Sequence, residues 1–131
     1  MPEPRATTPD SRELALAAAR AASSKQGERI TVLDVRDLIV ITDYFVIASA
    51  GTERQVRTVV EEVQRVLKDR GIRPVRREGE SEGLWVLLDF VDIVVHVFRE
   101  EERDFYDLER LWRDAPTVGW EEAEAASSVA E

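Results

Sequence analysis

Residues 85–98 read WVLLDFVDIVVHVF, and the alternation within them decides the fold. Successive side chains of a β-strand face opposite sides of the sheet, so a strand with one buried face is apolar at every second position. Residues 84–90 and 92–98 are predicted as two such strands, joined by a tight reversal. Val86, Leu88 and Phe90 share one face of the first, and Ile93, Val95 and Val97 share one face of the second. Both sets are wholly apolar and are expected to face the core. The opposite sets, Trp85, Leu87 and Asp89 with Val94, His96 and Phe98, mix rings, an acid and an imidazole. That mixture suits a half-buried or partner-facing surface.

Outward from this hairpin the chain is punctuated clearly. Residues 52–70 predict a helix: Thr52 and Gln55 form a capping box, and Val56, Val59, Val60, Val63, Val66 and Leu67 recur on one helical face. Gly71 stops it. Residues 73–77 suit a short edge strand, because Pro74 cannot donate to a ladder. Upstream, 30–34 and 43–49 are β-branched or aromatic runs predicted as strands, while 35–42 fits either a further short strand or a turn. Residues 10–22 predict a first helix capped by Asp10. Downstream, helical spacing returns from Asp104, with Phe105, Leu108, Leu111 and Trp112 near one face until Pro116. The order implies an α/β sandwich, a mixed β-sheet flanked by helices, over residues 9–116. Residues 1–8 read as a disordered start and 117–131 as an acidic disordered tail.

Composition narrows the function. A chain of 131 residues with 44% hydrophobic and 34% charged residues suits one soluble domain. No apolar run reaches the length of a membrane span, and the start lacks the apolar core of a secretory signal, so a cytoplasmic location is expected. Without cysteine there are no disulfides, thiolate metal sites or cysteine nucleophiles. A net charge of −9 repels phosphate backbones. Direct nucleic-acid binding is therefore not expected, and a basic protein partner is favoured.

Catalytic readings are thin. The SAGTERQ turn around Gly51 could place a phosphate at a helix N-terminus, yet it has neither the GxGxxG nor the GxxxxGK pattern and reads as an ordinary strand-to-helix turn. Asp89 and Asp92 flank the hairpin reversal, but a third metal ligand is missing. Asp89 lies plausibly across the hairpin from His96 and could orient it as a base, although no nucleophile setting accompanies the pair. His96 is better read as a hydrogen-bonded structural or interface histidine. No catalytic residue, metal or cofactor is assigned. Trp85, Phe98, Arg103, Tyr106 and Trp112 are residue types that fill cores and also anchor interfaces; their crowding in so small a domain favours presenting some of them.

The residues also carry a resemblance. The series LDVRDLIVITDYFVIAS at 33–49, TERQV at 52–56, the Glu78 and Gly79 pair, WVLLDFVDIVVHVF at 85–98 and RDFYDLERLWRDAP at 103–116 resembles the ribosomal silencing factor (RsfS, or Iojap) family. The resemblance implies a nucleotidyltransferase-like α/β fold without enzymatic motifs. It implies a factor that binds the large ribosomal subunit through ribosomal protein uL-fourteen, blocks joining of the small subunit, represses translation when nutrients are scarce, and forms a homodimer when free. Carried over position by position, the docking set is Trp85, Leu87, Asp89, His96 and Phe98 from the sheet, with Arg103, Tyr106, Glu109 and Trp112 beyond it. Asp43, Tyr44 and Glu78 match as well and are assigned to fold or dimer contacts. The rival classes are a nucleotidyltransferase-like enzyme with a degenerate nucleotide site and a dimeric adaptor with no ribosomal role. Val91 departs from the family's usual glycine in the hairpin turn. It resists positive φ, so a different turn geometry is expected there.

Overall fold

A computed structural model describes residues 10–121. In chain order the elements are α1 (Ser11–Ser24), β1 (Glu28–Asp34), β2 (Tyr44–Ala50), α2 (Glu53–Asp69), β3 (Arg76–Glu78), β4 (Trp85–Asp89), β5 (Ile93–Arg99), α3 (Glu100–Tyr106), α4 (Leu108–Leu111) and β6 (Thr117–Val118). They build one six-stranded sheet in the order β3-β4-β5-β2-β1-β6. β2 and β5 run parallel and the other neighbours antiparallel. A parallel pair cannot be joined by a hairpin, and here the chain between its strands supplies α2 and the β3–β4 edge. The mixed α/β architecture is the one expected.

The two long helices cover one face. Their valine, leucine and alanine stripes pack with Val46, Ala48, Val86, Leu88, Val95 and Val97 into the larger core. Six of the eight buried residues of α1 are alanines, which brings its backbone close to β2 and α2. In α2 the buried residues are Val56, Val59, Val60, Val63 and Leu67, and Val66 packs half-buried against them. Each fully buried valine or leucine contributes about 1.5–3 kcal/mol before its entropy loss is set against it. The helix ends follow the sequence signals. Asp10 accepts from the Arg12 N–H at 3.3 Å and Thr52 from the Gln55 N–H at 3.1 Å. Gly71, at φ +84°, closes α2 by donating to Lys68 O, while Ile72 donates to Leu67 O. This pairing satisfies two orphan carbonyls.

Several expectations change. The segment left open at 35–42 is a turn followed by loop, with Leu38 and Ile39 donating to the Val35 carbonyl. The expected closing helix from Asp104 is two short helices starting earlier, at Glu100. Asp107 adopts the left-handed region (φ +49°) and its N–H caps α3 at Arg103 O, so one continuous stripe never forms. Phe105 and Leu111 are consequently exposed, while Leu108 and Trp112 pack inward. The tail does not begin at Thr117. Thr117 and Val118 form an edge strand on β1, and buried Trp120 donates to the Ile30 carbonyl at 3.1 Å. A sequence without an apolar stripe hid two anchors, Val118 and Trp120, that need no period. The expected disorder of 1–8 and of the remaining tail from 122 lies outside the described residues. Val91 takes positive φ, +78°, rather than the alternative geometry expected. The Asp89 carboxylate accepts its N–H at 2.9 Å, and the Asp92 N–H closes the turn on Phe90 O.

Candidate functional site

On the face away from α1 and α2, the sheet carries a smaller core of Leu33, Val35, Phe45, Ile47, Phe98 and Ala115. It is covered only in part. After β5 the chain turns straight into α3 and α4, which lay Leu108 and Trp112 against that core. Arg103 holds this cover down. Its guanidinium, 2% exposed, donates to Ser49 Oγ on β2 at 3.1 Å, to the Arg29 carbonyl on β1 at 2.6 Å and to Glu109 Oε2 at 2.9 Å through Nε. The Arg29 carbonyl is reachable because Arg29 sits at φ +51° in an irregular step of β1. Breaking a buried, hydrogen-bonded ion pair by removing one partner strands the other charge, so this clamp is strongly constrained.

The rings form one connected layer. Trp85 stacks on Phe98 at 4.9 Å and meets Tyr106 at 4.6 Å, while Phe45 stands edge-on to Trp112 at 5.1 Å and to His96 at 5.3 Å. Gly79 permits the edge of this layer: at φ +84°, a Cβ there would lie 2.0 Å from the Trp85 carbonyl oxygen. The structure sorts the candidate residues into two groups. Trp85, Leu87, Asp89, Glu109 and Trp112 are partly exposed, and Tyr106 is exposed. Phe98, His96 and Arg103 are buried within the chain. Phe98 and Arg103 are sealed at 0% and 2% exposure, while His96, at 6%, lines the groove on this face.

His96 is not paired with Asp89. The antiparallel register sets Leu87 opposite His96 and Asp89 opposite Val94, which separates acid and imidazole. Asp89 instead lies 3.7 Å from the Arg76 guanidinium, and His96 Nδ1 accepts the Trp85 indole N–H at 3.1 Å. Burial lowers the His96 pKa to about 4, so the ring is neutral near pH 7. With Nδ1 accepting, its proton sits on Nε2. A neutral imidazole tied to an indole positions a ring, and among the described residues no acid hydrogen-bonds to it.

Beside this layer lies a mainly apolar groove of about 440 Å³, lined by Ile39, Ile41, Phe45, Leu87, Val91, Val94 and Trp112, with Arg76 and Asp89 as its charged members. Sequence reasoning missed Ile39, Ile41 and Phe45. The available signal was the run LIVI at 38–41, apolar yet placed in no strand; Val40 and Ile41 are 98% and 82% exposed. At Gly51, the turn leads into an α2 N-terminus already capped by Thr52, with Glu53 ion-paired to Arg99 at 3.1 Å. That acidic first turn does not favour a phosphate.

Comparison with known proteins agrees with the residue-level resemblance. The family described as "Ribosomal silencing factor during starvation" matches residues 8–131. The ribosomal silencing factor RsfS of Halalkalibacterium halodurans is 41% identical over 106 residues, 81% of this chain and 91% of that protein. The Bacillus subtilis RsfS is 40% identical over 99 residues, 76% and 84% of the respective chains. A crystal structure of a protein from Chromobacterium violaceum superposes with a TM-score of 0.77 at 36% identity, covering 79% of this chain and 87% of that one. With its fold and its sequence both in agreement with these relatives, the chain belongs to the ribosomal silencing factor family.

Proposed function

We propose that this protein binds the large ribosomal subunit through ribosomal protein uL-fourteen, sterically prevents the small subunit from joining, and so represses translation under nutrient limitation. The observation that carries the reading is the ring layer on the incompletely covered sheet face, where Trp85 and Tyr106 touch each other at the surface of an acidic domain. Trp and Tyr are the residues that most often anchor interfaces, and a net charge of −9 suits a basic ribosomal protein rather than ribosomal RNA. In this reading Trp85, Leu87, Asp89, Tyr106, Glu109 and Trp112 make the contact, and His96, Phe98 and Arg103 fix them from beneath. The action is steric, needs no cofactor and involves no catalysis. It takes place in the cytoplasm, and the free protein is a homodimer.

Gradient sedimentation of purified bacterial subunits with and without the protein tests this directly. Saturating protein should travel with the large subunit and deplete the joined particle; unaltered joining overturns the reading. Trp85→Ala, if folded, should weaken large-subunit binding by about 2 kcal/mol or more. Normal co-sedimentation of that variant would make Trp85 a bystander.

A further inference from the structure

Among the described residues, two buried side-chain polar atoms have no hydrogen-bond partner, Thr42 Oγ1 and His96 Nε2. Both residues line the same apolar groove. One orphan would be an accident of packing; two at one groove point to a ligand. Native proteins pair nearly all such atoms, and an unpaired one carries a desolvation penalty that a correctly placed partner removes. The Trp85 indole fixes the chemistry wanted at His96. By donating to Nδ1 at 3.1 Å it leaves Nε2–H as a donor, and the Phe45 ring 5.3 Å away offers no lone pair to receive it. Thr42 adds a hydroxyl that can donate alongside. The one carboxylate in the lining, Asp89, is engaged by the Arg76 guanidinium at 3.7 Å and the Val91 N–H at 2.9 Å, so neither orphan meets an acceptor among the described residues.

The rest of the groove defines what brings them. Its walls are aliphatic and aromatic, and its apolar character continues outward onto Ile41 and Val91, 82% and 50% exposed, with Val40 beside them at 98%. That outer rim extends the contact beyond what a small ligand would cover. Asp89 and Arg76 stand together in the wall, 3.7 Å apart, and Asp92, on the adjoining turn, forms no ion pair among the described residues. The unpaired Asp92 and the net charge of −9 favour a basic flank and disfavour another copy of this chain.

We propose that this groove is the docking pocket for a polypeptide segment of the large-subunit partner. One large apolar side chain fills it, a basic residue flanks that side chain, and backbone carbonyls accept from His96 Nε2–H and Thr42 Oγ1–H. The proposal rests on the ribosomal reading above and extends its contact from Leu87, Asp89 and Trp112 into the groove that they line. Both donors are buried, so the segment reaches them by displacing groove side chains. Thr42 and His96 then select for a segment with a free carbonyl in register, since an apolar group alone leaves both donors unpaired.

The test uses full-length protein, purified bacterial large subunits as the probe, and thermal melting of each variant. Thr42→Val keeps the shape and removes an unpaired hydroxyl, so melting should stay level or rise while large-subunit affinity falls about tenfold. His96→Leu should weaken binding at least as much. His96→Gln, which can accept from Trp85 and still donate, should recover part of the loss. Ile41→Asp should abolish groove entry without unfolding the chain. If wild type binds and Trp85→Ala weakens it while Thr42→Val, His96→Leu and Ile41→Asp bind normally, the groove proposal falls and the ribosomal reading stands. If wild type does not bind large subunits, both fall. If the groove variants change only self-association, measured by analytical ultracentrifugation, the occupant is a second copy and the proposal is overturned.

Discussion

On the helix side of the sheet, β2, β4 and β5 present Val46, Ala48, Val86, Leu88, Val95 and Val97, all essentially inaccessible and all aliphatic. On the other side the same strands present Phe45, Trp85, Leu87, Asp89, His96 and Phe98, with a partial lid, an open groove and both orphan polar atoms. The first surface has finished its packing within the chain. The second keeps exposed apolar area and two polar atoms that have no hydrogen-bond partner among the described residues. On the proposed reading, stability and function sit back to back across one layer of backbone, and neighbouring residues should respond to the same change in different ways.

Leu87 and Leu88 provide the sharpest contrast, because they are adjacent in β4 and face opposite sides. Leu88→Ala opens a cavity in the closed core and should cost roughly 3 kcal/mol of stability by denaturant melting. Leu87→Ala, on the half-exposed wall, should cost below about 1 kcal/mol, and its larger effect should fall on large-subunit binding. Equal losses of stability for the pair would mean that the second face is as closed as the first, and the contrast would fail.

His96 gives a second, smaller handle. Its folded pKa, about 4, lies below the ordinary histidine value of 6.5 because burial penalises the imidazolium. The unfolded chain therefore binds the proton more readily. The stability this supplies is complete above pH 6.5 and is lost as pH falls toward 4. Between pH 6.5 and 5, ahead of most carboxylates, the loss should be about 2 kcal/mol. His96→Gln should flatten that part of the profile. A wild-type profile already flat over this range would show that the ring titrates normally and is not sealed beneath the lid.

The same division explains what could be read from sequence. The helix-side core was legible because periodicity alone specifies it: every second residue of β4 and β5 and the valine stripe of α2 point to one buried face. The cover on the other face follows no period. Asp107 breaks the closing helix through a single left-handed residue, Arg103 acts through two partners distant in sequence, Ser49 and Arg29, besides the nearby Glu109, and Trp120 anchors the chain after β6 with one indole hydrogen bond. Which of Trp85, Phe98 and Tyr106 is exposed depends on that cover, so composition could name the ring layer but could not order it. The groove was illegible for a related reason. Its wall comes from loop residues Ile39 and Ile41, whose position depends on the turn at Val35 rather than on any strand or helix.

Val91 offers the mildest test of the comparison, and it bears on whether the open face tolerates strain that the closed face does not. A β-branched residue held at φ +78° stores on the order of 1–3 kcal/mol, which glycine would release at some cost in unfolded-state entropy. Val91→Gly should therefore raise stability by about 1 kcal/mol in a denaturant titration. Val91 also lines the groove, so the same variant loses an apolar wall. A more stable protein with weaker large-subunit binding would mean that the valine is kept at the turn for its contact and in spite of its backbone. A variant that melts lower than wild type would show that the turn is unstrained, and would remove strain from the account of the open face altogether.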